Sequence, residues 1–212
     1  MWELVKAGGW LMLPLVLCSI FTLAITLERL IRLKRANVLP KNLLLQKDRS
    51  LDSVLDTLEQ DKVAANSTLG YILREGIDAF PQGEAYARAQ MEVAASREIG
   101  YLEKNVNFLG TLSAVAPLLG LLGTVLGIIE SFLVLDLGSN SNPTMMIPGI
   151  SKALITTAAG MVIAIPALFA YRYFQRLIQE YISELERQST LFHATLFYRK
   201  PQAQDVEQKQ AS

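Results

Sequence analysis

Long apolar stretches alternate along the chain with segments in which apolar residues recur at helical spacing among charged ones. Three stretches, Ala7 to Leu27, Phe108 to Leu135 and Ile147 to Tyr171, are free or nearly free of charge, and each reaches the ~20 residues that a helix needs to cross a bilayer. Behind Ser50, a good N-cap residue, Leu51, Val54, Leu55 and Leu58 fall on one helical face, and Leu69, Ile72, Leu73, Ile77 and Phe80 repeat the pattern. Pro81 and Gly83 end that helix. No proline follows until Pro117, so one helix is predicted from Glu84 to Leu137. The third stretch keeps its apolar face through Ile178, Ile182, Leu185, Ser189, Phe192 and Leu196, which predicts a second long helix from Ile147 to Tyr198.

Charge orients these helices. Lys and Arg number twelve between Arg29 and Lys104, none from Gly138 to Ser151 and six from Arg172 to Lys209, and basic loops mark the cytoplasmic face. The basic residues Arg29, Arg32, Lys34 and Arg35 follow the first apolar core rather than precede it, so that core is expected to stay as a span and not to be cleaved as a signal. The fold expected is an all-α membrane protein with three transmembrane helices, an outer N-terminus and a cytoplasmic C-terminus, the second and third helices extending into a tall cytoplasmic bundle. By segment, 1–28 is the outer N-terminus and first transmembrane helix, 29–107 a cytoplasmic helical segment and 108–137 the second transmembrane helix. An outer loop covers 138–146, the third transmembrane helix 147–171, a cytoplasmic helix 172–200 and a disordered polar tail 201–212.

Composition narrows the function. With 20 basic against 20 acidic residues there is no broad basic surface for nucleic acid, and a mean hydropathy of +0.28 beside 19% charged residues fits only charges segregated from apolar spans. A lone Cys18 and a lone His193 leave no internal disulfide and none of the usual zinc sites, and the cytoplasmic part has no phosphate-binding Gly-x-x-x-x-Gly-Lys loop. No enzyme activity, cofactor or metal is expected. Cys18 and His193 read as packing or surface residues.

The unusual chemistry lies within the spans. In the second, Gly110, Ser113, Pro117, Gly120, Thr124, Gly127 and Ser131 recur every three or four residues; in the third, Gly149, Ala153, Thr157, Gly160, Ala164 and Ala167 do so. Such stripes let helix backbones approach closely, or they line a lumen where small side chains leave room for water or a partner's helix. If Thr124 and Thr157 lie level on antiparallel helices, Glu130 and Lys152 also come to similar depth, as an ion pair or as part of an ion entry. No Asp, Glu or His lies between Lys104 and Glu130 or between Lys152 and Arg172, so any group that titrates in mid-span comes from elsewhere. The hydroxyls of Thr111, Ser113, Thr124, Thr156 and Thr157 remain to support a water wire or a partner's carboxylate. Pro117 and Pro166 interrupt the helical hydrogen bonds at comparable depth, as a shared kink or as a gate.

The runs Ala116-Pro117-Leu118-Leu119-Gly120-Leu121-Leu122-Gly123-Thr124-Val125-Leu126-Gly127-Ile128, Ile150-Ser151-Lys152-Ala153-Leu154-Ile155-Thr156-Thr157-Ala158-Ala159-Gly160 and Ala164-Ile165-Pro166-Ala167 resemble the MotA/TolQ/ExbB proton-channel family. Three spans with a large cytoplasmic segment look like its ExbB/TolQ branch. The resemblance implies a homopentamer in the bacterial inner membrane whose second and third spans wall a lumen around an ExbD/TolR-type membrane protein. That partner supplies the aspartate that takes up protons, and the complex drives a TonB- or TolA-type energy-coupling protein. The family's threonines matching Thr124 and Thr157 line the proton path. The chain departs from the family pattern at Lys152, where several relatives carry glutamate. ExbB-like energising of TonB-dependent transport is the function expected, with a TolQ-like role in envelope integrity, an unaided homo-oligomeric channel or a passive scaffold as alternatives.

Overall fold

A computed structural model describes residues 9–45, 51–137 and 143–198. Ser50, the segment ahead of Gly9, residues 138–142 of the expected outer loop and the expected tail 201–212 lie outside them. The described residues are helical, without strands. In chain order the helices are α1 (Met12–Arg32), α2 (Arg35–Val38), α3 (Leu51–Gln60), α4 (Lys62–Ala65), α5 (Thr68–Ala79), α6 (Glu84–Leu137) and α7 (Ile147–Tyr198), with 3-10 turns at Lys41–Leu43, Phe80–Gln82 and Pro143–Met146. Helices α1, α6 and α7 are each long and apolar enough to cross a membrane. Both long helices have the bounds predicted from the sequence, and each runs through its proline.

The first span differs from its apolar stretch. Helix α1 starts at Met12 rather than near Ala7, because Gly9 adopts φ +75° and the backbone turns there, with Met12 N bonding Gly9 O at 3.1 Å. Pro14 falls in the first turn, where the missing N–H has no helical partner to lose. At its other end α1 continues to Arg32, carried past the apolar limit by a Glu28–Arg32 pair at 3.3 Å one turn apart and by Asn105 Nδ2 donating to Glu28 at 2.6 Å.

The chain divides into two compact units. The first takes in the described parts of Met1–Arg32 and Glu103–Leu177. Its core joins α1, α6 and α7 through Met12, Leu15, Ala116 and Ala164, with Leu119, Ala159 and Ile163 packed against them. A Cβ on Gly120 would meet Thr157 Cα at 3.1 Å, one on Gly127 would meet Ala153 Cβ at 2.7 Å, and one on Gly149 would meet Gly127 O at 3.0 Å. Numbers fall on α7 as they rise on α6, so the helices are antiparallel and their small-residue stripes face each other over much of their length. Outward, Leu118, Val162 and Phe169 stand exposed, as side chains that face lipid or another membrane helix must.

The second unit takes in Leu33–Leu102 and the described part of Ile178–Ser212. Val54, Leu69, Ile72 and Leu73 from α3 and α5 are buried, as are Ala87 of α6 and Ile178, Leu185 and Phe192 of α7. The short helices are held by caps. Asp61 accepts from Val63 N and Ala64 N, and Ser67 accepts from Gly70 N at 3.0 Å. Gly83 at φ +103° turns the chain into α6. Two side chains of α7 tie down the irregular segment: Tyr181 Oη donates to Leu33 O at 2.8 Å, and buried Gln188 accepts from Leu45 N at 2.9 Å. His193 packs on Phe197 at 5.0 Å between ring centres. Burial pushes the Glu98 carboxyl above the usual range, against the Thr68 hydroxyl and Arg97, which pull it down.

Candidate functional site

The site lies in the first unit, where α6 and α7 pack through their small-residue stripes. Thr157 Oγ1 donates to the carbonyl oxygen of Gly120 at 2.9 Å and also meets Thr124 Oγ1, which stands 3.4 Å from the same carbonyl. Each hydroxyl has one proton. Either threonine can be the donor in the contact between them, and in both arrangements the chain of hydroxyls ends on the Gly120 carbonyl. The antiparallel register brings the two threonines level, and both are part-buried. The shared acceptor is a residue that sequence reasoning placed in the stripe without a polar role. Its signal is the spacing, since a threonine four residues after a glycine sits over that glycine's carbonyl.

The other hydroxyls behave differently. Thr156 is 1% exposed, packs against Gly123 and donates to Lys152 O at 2.9 Å, so it looks away from the Thr124–Thr157 contact. Ser113 bonds Gly110 O at 2.7 Å and Thr111 bonds Asn107 O at 3.2 Å, each on its own helix. Thr111 is exposed and Ser113 buried. Of the small residues, Ala153 packs on Gly127, and Gly160 on Ala116 and Gly120; Ala164 joins the core, and Gly110 lies against the Tyr171 ring. Pro117 is half-buried and Pro166 exposed.

Beyond the threonines, Lys152 Nζ donates to Glu130 Oε2 at 2.8 Å, with 31% and 52% of the two side chains exposed. Near them Ser131 Oγ bonds Gly127 O at 2.8 Å and reaches Met146 O at 3.3 Å. A Cβ on Gly9 would run into Cε of Lys152 and stand 2.9 Å from its Nζ, so the turn ahead of α1 approaches the ion pair by bare backbone. Sequence reasoning missed this contact; its only trace is a Gly-Gly pair before the first span. Among the described residues no three or more His, Cys, Asp or Glu are grouped to hold a metal. Chemically the threonine contact offers hydroxyls and a carbonyl that solvate charge, and the ionisable groups beside it are Glu130 and Lys152.

Known proteins can be set beside this geometry. Residues 64–187, which include all of α6 and most of α7, match the MotA/TolQ/ExbB proton channel family. The biopolymer transport protein ExbB-like 1 of Synechocystis sp. is 34% identical over 210 residues, covering 92% of this chain and 80% of that protein. The Tol-Pal system protein TolQ of Haemophilus influenzae is 38% identical over 115 residues, 52% of this chain and 50% of that one. The biopolymer transport protein ExbB of Salmonella typhimurium is 40% identical over 85 residues, 40% of this chain and 35% of that one.

Proposed function

Because the chain belongs to the MotA/TolQ/ExbB proton channel family, we propose that it is the wall subunit of a motor driven by the proton-motive force in the bacterial inner membrane. As an ExbB-like subunit it assembles with copies of itself, as a pentamer on family grounds, around an ExbD/TolR-type membrane protein. Through a TonB-type energy-coupling protein it energises transport across the outer membrane. The N-terminus lies in the periplasm, and the segments 29–107 and 172–200 in the cytoplasm.

The observation that carries this reading is the Thr124–Thr157 hydroxyl contact over the Gly120 carbonyl, set in spans that hold no Asp, Glu or His between Lys104 and Glu130 or between Lys152 and Arg172. Such a station stabilises a charge that arrives on another molecule and cannot itself hold a proton at physiological pH. A hydroxyl oxygen has two lone pairs, so the pair keeps acceptor capacity for a partner's protonated carboxyl, and in a low-dielectric setting that contact is stronger than in water.

Proton flux into liposomes tests it. Flux is expected with an ExbD/TolR-type partner present and not with this chain alone; equal flux in both cases would make it an unaided channel, and none in either a scaffold. A TolQ-like role with a TolA-type partner is the second reading, favoured by the 38% identity to TolQ. Expression in cells lacking their own ExbB or their own TolQ separates the two: restored iron-siderophore uptake fits the first, restored detergent resistance the second.

A further inference from the structure

Two cavities in the first unit share the Glu130–Lys152 pair as a wall. One, of about 440 Å³, is open and is bordered by Ser131, Val134, Pro148 and Gly149 at the ends of α6 and α7 that the short 138–146 connection joins. The other, of about 10 Å³ and so with room for about one water, lies one to two turns deeper between Trp10, Gly123 and Thr156.

We propose that the Glu130–Lys152 pair is an ionic plug between these cavities, keeping vestibule water and hydrated cations from Thr156, and that Gly9 positions Lys152 in it. The inference rests on the reading of the chain as a proton-channel wall subunit, whose topology opens the vestibule to the periplasm. The pair closes at 2.8 Å and half of the Glu130 side chain is exposed, whereas Thr156 beneath is 1% exposed. The ammonium and carboxylate are together net neutral, so the pair closes the neck by its contact and not by repelling cations. Gly9 takes part through its missing side chain. At φ +75°, with Lys152 Nζ 2.9 Å from the place of a Cβ, any larger residue is strained and displaces the lysine. A device that converts a proton gradient into work loses efficiency with every ion that slips through elsewhere.

The test is thiol accessibility in the full chain assembled with its membrane partner. In a Cys18→Ala background, Thr156→Cys is exposed from the periplasmic side to the small cation methanethiosulfonate-ethylammonium. Slow labelling is expected with the pair intact, and labelling several-fold faster once Glu130→Gln and Lys152→Met remove the pair, the scale of one part-exposed ion pair. Gly9→Ala, which leaves both charges in place, is expected to speed labelling as well. Removing both charges avoids the unpaired, part-exposed ammonium that Glu130→Gln alone leaves, so the double variant keeps the test open if the single variant fails to assemble. Fast labelling with the pair intact, or unchanged labelling in the double variant, overturns the plug; unchanged labelling in Gly9→Ala overturns the role of Gly9. These rates do not depend on proton-driven work, so the expected labelling pattern in a complex that fails to energise would overturn the channel reading and leave the plug standing.

Discussion

The carbonyl oxygen of Ala116 lies 2.7 Å from the point that a Cβ on Gly160 would occupy, with Gly120 Cα 3.1 Å away on the same side. Both obstacles are backbone, so neither can rotate out of the way. Gly160→Ala therefore forces α6 and α7 apart, at a cost of about 1–3 kcal/mol for overpacking. The expected result is a lower melting temperature in detergent with weaker assembly, whereas Gly100→Ala, at a site with nothing within 4 Å, should leave both unchanged.

Replacing both Thr124 and Thr157 by valine keeps side-chain shape while removing a hydrogen-bonded pair, each bond worth ~1 kcal/mol net. Removing both partners together leaves only the Gly120 carbonyl to lose a donor, so assembly should survive. Proton-dependent energising, measured as uptake in cells, should fall sharply. Normal energising by an assembled double variant would make these threonines packing residues.

Glu98 gives a pH-dependent prediction. Its carboxyl is raised in the folded protein by burial, so its contribution to stability is present below the ordinary glutamate range and is lost as pH rises through the raised value. At neutral pH the ionised group is a liability. Glu98→Gln is expected to raise the melting temperature at pH 7.5, and the difference from wild type should shrink toward pH 4; a constant difference would show that Glu98 does not titrate differently on folding.

Topology is tested by cysteine labelling in the Cys18→Ala background. A cysteine at Asn140 should react with an impermeant reagent from the periplasm, and one at Gln60 only after the inner membrane is opened. The reverse pattern would invert the protein and place the Glu130–Lys152 vestibule on the cytoplasmic side.

The helices were legible because their signals are local. Pro81 and Gly83 mark the start of α6, and an unbroken apolar face from Ile178 to Leu196 carries α7 onward. The meeting of Thr124 with Thr157 was legible as far as the stripes fix an antiparallel register. What was hidden depends on backbone. Gly9 touches Lys152 through a positive φ that no periodicity encodes, and Gly120 takes part through its carbonyl, which every residue has. The grip of Gln188 on Leu45 N spans 143 residues, and a buried glutamine on an otherwise apolar face does not say what it holds.

The hydroxyl chain that runs from Thr124 through Thr157 ends on a peptide oxygen. A hydroxyl passes a proton onward only by releasing its own as it receives another, and the Gly120 carbonyl has none to release. The threonines are thus a terminus: whichever hydroxyl donates to the other, the chain ends on the same carbonyl in the helix interface. On the proposed function, a proton moving past them travels on water or on a carboxyl group alongside, and the pair sets where that carrier rests, much as a detent sets the stopping positions of a turning shaft without driving it.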